Sequence, residues 1–135
     1  MKDIVFASDL DNTLLYSRSH KREGDICVEH IAGRAHGFMT PLTVERLREV
    51  VRRLCLIPVT TRSIEQYKRI EWPAGLTPEY AVTTNGAMLL HGGEADAAWR
   101  EAHDALIAPA REEIARCHAL YLGDPAFIRC RIVDD

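Results

Sequence analysis

No stretch of the chain is apolar over anything near the ~20 residues that a membrane-spanning helix needs. The amino end carries one lysine and passes at once into "DIVFASDLD". That apolar segment is too short, and too soon charged, for a secretory leader, so a cytoplasmic location is expected. Cysteine is sparse: Cys27, Cys55, Cys117 and Cys130 stand far apart with no CxxC pair. Such spacing points to reduced thiols and supports neither a disulfide framework nor a zinc site. Charge of one sign is also scarce, with a net charge of −3 and no basic or acidic block. A nucleic-acid partner and a disordered charged arm are therefore not expected. Internal repeats and low-complexity segments are missing too.

What is present suits a packed domain. The 135 residues are 47% hydrophobic, enough for one core or for part of a larger protein. Residues 3 to 7, "DIVFA", read as a short buried strand. "SRSHKREGD" is a polar loop, and "ICVEHIAGRAHGF" reads as a small hairpin with Gly33 near its turn. In "TPLTVERLREVVRRL", Thr40 can cap and Pro41 suits the first helical position. Val44, Leu47, Val51 and Leu54 share one face of that helix. "LCLIPV" is a second buried strand. Ser63 and Gln66 have the spacing of a capping box, so a short helix starts there. "EYAVTTNGAMLLHGG" reads as a third strand, a turn at Asn85-Gly86 and a fourth strand. Strand, helix, strand, helix, strand predicts an α/β fold with a parallel sheet wrapped by helices. After Gly93 come two Ala-rich helices separated at Pro109. "AFIRCRIV" then alternates as a half-exposed strand would.

In a parallel α/β sheet, ligands bind beyond the carboxyl ends of the strands. Three such ends carry polar groups here: Asp9, Asp11, Asn12 and Thr13 on the first, Thr60, Thr61 and Arg62 on the second, Thr83, Thr84 and Asn85 on the third. Two carboxylates one residue apart repel unless a cation intervenes. A hard cation with oxygen ligands, Mg²⁺ above all, would satisfy Asp9 and Asp11 and retain positions for a phosphate oxygen. The Thr13 and Thr60 hydroxyls, the Asn85 amide, Arg62 and backbone N–H groups would then be donors to a phosphoryl group.

"DLDNTL" resembles motif I of the haloacid dehalogenase-like (HAD) phosphohydrolase superfamily, a DxDxT pattern after an apolar strand. "LIPVTTR" resembles motif II, an apolar strand ending in Thr or Ser. "TTNGA" resembles the "NGA" turn of the Cof-type, or sugar-phosphatase-like, branch. Motif II usually reads TGR in that branch, and Thr61 stands here in place of the Gly. The resemblance covers roughly the first two-thirds of the chain.

The resemblance implies a Rossmann-like core and a Mg²⁺-dependent hydrolysis of a small phosphate monoester, a sugar phosphate being one candidate. By it Asp9 is the nucleophile that becomes an aspartyl-phosphate, and Asp11 is the general acid and base. Mg²⁺ would be held by the Asp9 carboxylate and the Asp11 backbone carbonyl. Thr60 would bind the phosphoryl oxygens. Asn12 and Thr13 would shape the loop, with the Asn12 N–H a phosphate donor. Thr61, Arg62 and Asn85 are further candidates for phosphate or substrate contact.

The family's motif III Lys or Arg and motif IV acids find no clear counterpart. Asp134 and Asp135 fit motif IV poorly, because Arg129 and Arg131 alternate through the segment before them. The expectation is therefore an incomplete core over residues 1–92 and the start of an α+β cap over 93–135. "DIVFA" would then have an unpaired apolar edge. A phosphomutase or phosphotransferase with the same intermediate is one alternative. A phosphate-binding or regulatory module without turnover is another. His30 and His36 read as surface histidines, Lys68 as part of a solvated helix face, and Trp99 as cap packing.

Overall fold

The computed structural model describes residues 3–126 and 131–133. The chain is α/β. It opens with β1 (Val5–Ser8), followed by a polar loop and β2 (Tyr16–Ser17). A hairpin of β3 (Ile26–Ile31) and β4 (Arg34–Met39) comes next. Its Ala32-Gly33 turn has φ of 50° and 73°, the left-handed pair that tight hairpins prefer. β2 adds to β4, giving a three-stranded antiparallel flap in the order β2-β4-β3.

Helix α1 (Pro41–Arg53) begins where the sequence places it. Thr40 Oγ1 accepts from the Thr43 amide at 3.0 Å, and Pro41 occupies the first turn. Val44 and Leu47 enter the core, while Val51 and Leu54 lie half-buried at its margin. The chain then forms β5 (Cys55–Pro58) and the short helix α2 (Ile64–Lys68). Both arms of the Ser63–Gln66 capping box are made. β6 (Tyr80–Thr83), β7 (Met88–His91) and β8 (Glu94–Ala95) form an antiparallel meander. The helices α3 (Ala97–Ile107) and α4 (Arg111–Leu122) follow, linked by a 3-10 turn containing Pro109.

Parallel pairing among the described residues is smaller than the wrapped sheet that the strand–helix alternation predicts. β1 and β5 run parallel from Val5–Cys55 to Ser8–Pro58. A single parallel bridge, Val59–Val82, joins that pair to β6. After β6, Thr84, Asn85 and Gly86 have φ of 51°, 58° and 96°. Three left-handed residues in succession reverse the chain, so the other edge of β6 pairs antiparallel with β7. The Gly92-Gly93 turn leads from β7 into its partner β8, a strand that the sequence did not signal.

The main core gathers Leu10, Leu15, Val28, Met39, Leu47, Leu56, Leu76 and Leu90. Each Leu buried there contributes roughly 1.5–3 kcal/mol through apolar surface removed from water. β1 stands apart from it, against the expectation of a buried strand. Ile4, Val5 and Phe6 are 63%, 55% and 38% exposed. β1 has one strand neighbour, β5, among the described residues. The strand expected over "AFIRCRIV" falls largely on residues 127–130, outside the described residues, as do Asp134 and Asp135. Residues 131–133 carry no regular secondary structure.

Candidate functional site

The site grows from the alternation in "DLD". Leu10 is fully buried and anchors the loop to the core. Its two acidic neighbours are left toward solvent, Asp9 exposed and Asp11 half-buried. The loop then folds onto the Leu10 carbonyl, which accepts from the amides of Thr13 at 3.2 Å, Leu14 at 2.9 Å and Leu15 at 3.1 Å. The Asn12 amide donates to the Leu15 carbonyl at 2.8 Å. Asn12 has φ of 61°, a left-handed conformation that asparagine tolerates better than most residues. Thr13 Oγ1 donates to Asp9 Oδ2 at 3.4 Å, the long end of a hydrogen bond.

The second and third strand ends are tied to the first by backbone. The Val59 amide donates to the Ser8 carbonyl at 2.8 Å, carrying the β1–β5 ladder to the edge of Asp9. The Thr60 amide donates to the Val82 carbonyl at 2.9 Å, and the Asn85 amide to the Thr60 carbonyl at 3.1 Å. The Thr84 amide donates to the Arg62 carbonyl at 2.7 Å. Thr60 is buried, and its hydroxyl oxygen accepts from the Arg62 amide at 3.2 Å. Thr61 and Asn85 are exposed. Trp99 of α3 donates from Nε1 to the Gly86 carbonyl at 3.2 Å, tying that helix to the Thr84–Gly86 turn.

Arg62 joins the loop after β5 to the loop after β1 through its side chain. Nε donates to Asp11 Oδ2 at 2.9 Å and Nη2 to Asp11 Oδ1 at 2.8 Å. The far side of the same guanidinium meets Glu29: Nη1 donates to Oε1 at 2.8 Å and Nη2 to Oε2 at 3.1 Å. The remaining Nη1 hydrogen faces the Gln66 carbonyl at 3.3 Å. Burial opposes the charge on Arg62, but the hydrogen bonds and charges of Asp11 and Glu29 outweigh it, and the guanidinium pKa is raised.

The cation expected between the two aspartates is thus, at Asp11, a guanidinium of the chain itself. Arg62 was a candidate phosphate contact, and here its donors are spent on protein acceptors. Among the described residues no group of three or more His, Cys, Asp or Glu side chains is arranged to hold a metal. The donor chemistry nevertheless suits Mg²⁺ at Asp9. An exposed carboxylate is the kind of hard oxygen ligand that ion takes, water and substrate filling its other positions.

Glu29 is the site residue that sequence reasoning missed. It lies on β3, is 2% exposed, and faces Gly37 on β4. The register shifts at Cys27/Glu29 and at Glu29/His30, irregularities of the kind that re-aim a side chain. The available signal was an acidic residue in an apolar strand whose partner strand offers a glycine. The other outliers do not join the site. His30 Nδ1 lies 2.9 Å from Glu71 Oε1, His36 is exposed, and Lys68 pairs with Glu94 at 3.2 Å.

Comparison with protein-family models gives no match for this chain, and comparison with curated proteins gives none either.

Proposed function

We propose that the chain carries the nucleophile and phosphate-binding loops of a HAD-like phosphohydrolase acting on small phosphate monoesters. The observation that carries this reading is the convergence of Asp9, Asp11, Thr60 and Asn85 at three neighbouring strand ends, joined by the Asn85–Thr60 backbone bond and the Arg62–Asp11 pair. Asp9 is exposed and reachable by a substrate. An Asp9 carboxylate oxygen attacks phosphorus, and the bond from phosphorus to the ester oxygen breaks as that oxygen takes a proton from Asp11. Water then attacks the aspartyl-phosphate and gives its proton to Asp11. Inorganic phosphate leaves and Asp9 is regenerated. Mg²⁺ at the Asp9 carboxylate and the Asp11 backbone carbonyl would neutralise phosphoryl charge in both steps. The side chains of Thr60, Thr61 and Asn85 supply hydrogen bonds to the phosphoryl oxygens, whereas the Asn12 and Thr13 amides, expected as donors, are taken by the Leu15 and Leu10 carbonyls and shape the loop. A sugar phosphate suits the motif pattern, and the wide spacing of the cysteines suits a cytoplasmic location. No helix of the described residues is long and apolar enough to cross a membrane.

A second reading, a phosphate-binding module without turnover, is favoured by the engagement of both Asp11 oxygens by Arg62. Hydrolysis assays with Mg²⁺ on a panel of phosphate esters separate the two. Turnover abolished by Asp9→Asn supports the enzyme. Phosphate binding with no turnover of any ester supports the module. Turnover untouched by Asp9→Asn refutes the nucleophile.

A further inference from the structure

We propose that Glu29 and Arg62 are a positioning pair for Asp11, and that Arg62 does not bind the phosphate. This rests on the phosphohydrolase reading above and assigns a role within it to the β3–β4 flap.

The first argument is donor counting. A guanidinium has five N–H hydrogens in a fixed fork and no acceptor. In this site Nε serves Asp11, Nη2 serves Asp11 and Glu29, and Nη1 serves Glu29 and the Gln66 carbonyl. Five hydrogens meet five acceptors. A phosphate oxygen could be served only by breaking one of these bonds, four of which go to carboxylates. Arg62 is also flanked by two carboxylates, so its charge is already matched twice over where a phosphate dianion would need it.

The second argument is burial. The Glu29 side chain is 2% exposed and that of Arg62 12%. A carboxylate so enclosed is tolerable only with a partner that cannot leave. Glu29 therefore fixes Arg62, and Arg62 presents two parallel donors to the Asp11 oxygens. The third argument is the space made for the arrangement. Gly37 lies against Glu29 so closely that a Cβ there would stand 2.9 Å from both Glu29 Cβ and Oε2. The flap is shaped around this carboxylate.

In the proposed chemistry Asp11 gives a proton to the leaving oxygen and takes one from water, so the direction of its carboxylate sets the rate of proton transfer. Positioned groups of this kind are worth about 10²–10⁴-fold. Poorly leaving alcohols depend on that transfer most, and phenols that leave as stable anions least. Phosphate affinity does not depend on it.

The test uses the full chain with Mg²⁺, an alkyl phosphate, p-nitrophenyl phosphate, and inorganic phosphate as competitive inhibitor. Glu29→Gln and Arg62→Lys are the variants, each first checked for a native circular-dichroism spectrum and melting transition. Glu29→Gln keeps the shape and one acceptor oxygen, so it serves if Arg62→Lys unfolds. The expected result is a loss of kcat on the alkyl ester about tenfold or more beyond the loss on the aryl ester. The phosphate inhibition constant stays within about twofold. Equal losses on both esters overturn the proposal, because a fold defect lowers the two alike. So does a phosphate inhibition constant that rises tenfold, which marks Arg62 as a phosphate ligand. Absence of any Asp9-dependent turnover in the unaltered chain overturns the phosphohydrolase reading itself, and this proposal falls with it.

Discussion

Gly37 stands directly across the β3–β4 pair from Glu29, and hydrogen is the only side chain that position admits while Glu29 keeps its conformation. Gly37→Ala is therefore expected to destabilise the chain by roughly 1–3 kcal/mol through overpacking. The strand setting itself would favour Ala over Gly. A melting temperature equal to or above that of the unaltered chain would show that the flap yields without strain.

Removing Arg62 should harm the fold more than removing its partner as well. Arg62→Ala leaves Glu29 buried and unpaired, a change typically worth about 3–5 kcal/mol. Adding Glu29→Gln removes the stranded charge and should recover a large part of that loss. Urea denaturation of the two single variants and the double variant measures the coupling. Simple additivity would mean that the buried carboxylate finds relief elsewhere.

At Asp9, exchange to Asn is expected to lower turnover roughly 10³-fold or more while leaving the melting temperature unchanged or slightly raised. The carboxylate is exposed and makes one long hydrogen bond, so little folding energy rests on it. Loss of the fold in this variant would instead give Asp9 a structural role.

Chelation with EDTA should abolish hydrolysis, and added Mg²⁺ should restore it. Ca²⁺ should restore it poorly, because its larger and looser shell holds phosphoryl oxygens less exactingly. Full activity in EDTA would remove the metal from the proposed chemistry.

Tyr67 gives the chain an alkaline limit. Burial, partly offset by Trp72, pushes its phenol up to about 12 from the ordinary 10. Below pH 10 both folded and unfolded chains keep the proton, and the stabilising preference for the neutral phenol is fully present. Above it the unfolded chain ionises first, and stability falls through the folded value, by at most about 3 kcal/mol. Tyr67→Phe should flatten that decline between pH 10 and 12 in a denaturation series. An identical slope in the variant would assign the decline to other groups.

Local elements were legible because their signals are local. Thr40 with Pro41, and Ser63 with Gln66, satisfy helix amides within one turn, so the sequence alone places both helix starts. Gly33 marks a hairpin turn for the same reason. The strand-end residues were readable as a set because parallel strands bring their carboxyl ends together. What escaped depends on distance. Arg62 could be seen to lie near the cluster, but not to be consumed by Asp11 on one side and Glu29 on the other. Glu29 stands thirty-three positions away along the chain. β8 escaped because two residues carry too little periodicity to register. The open edge of β1 was expected from the missing neighbouring strands, but the solvent exposure of its side chains was not, because an apolar run reads the same whether or not its faces are covered.

That bare first strand has a practical consequence. Among the described residues β5 is its one strand partner, so the other rim, beside Ile4, Val5 and Phe6, would give an extended backbone laid along it a ladder. Concentrated solutions should therefore thicken by strand addition at this rim. A charged residue written into it, such as Val5→Lys, is the economical remedy for anyone preparing the protein in quantity.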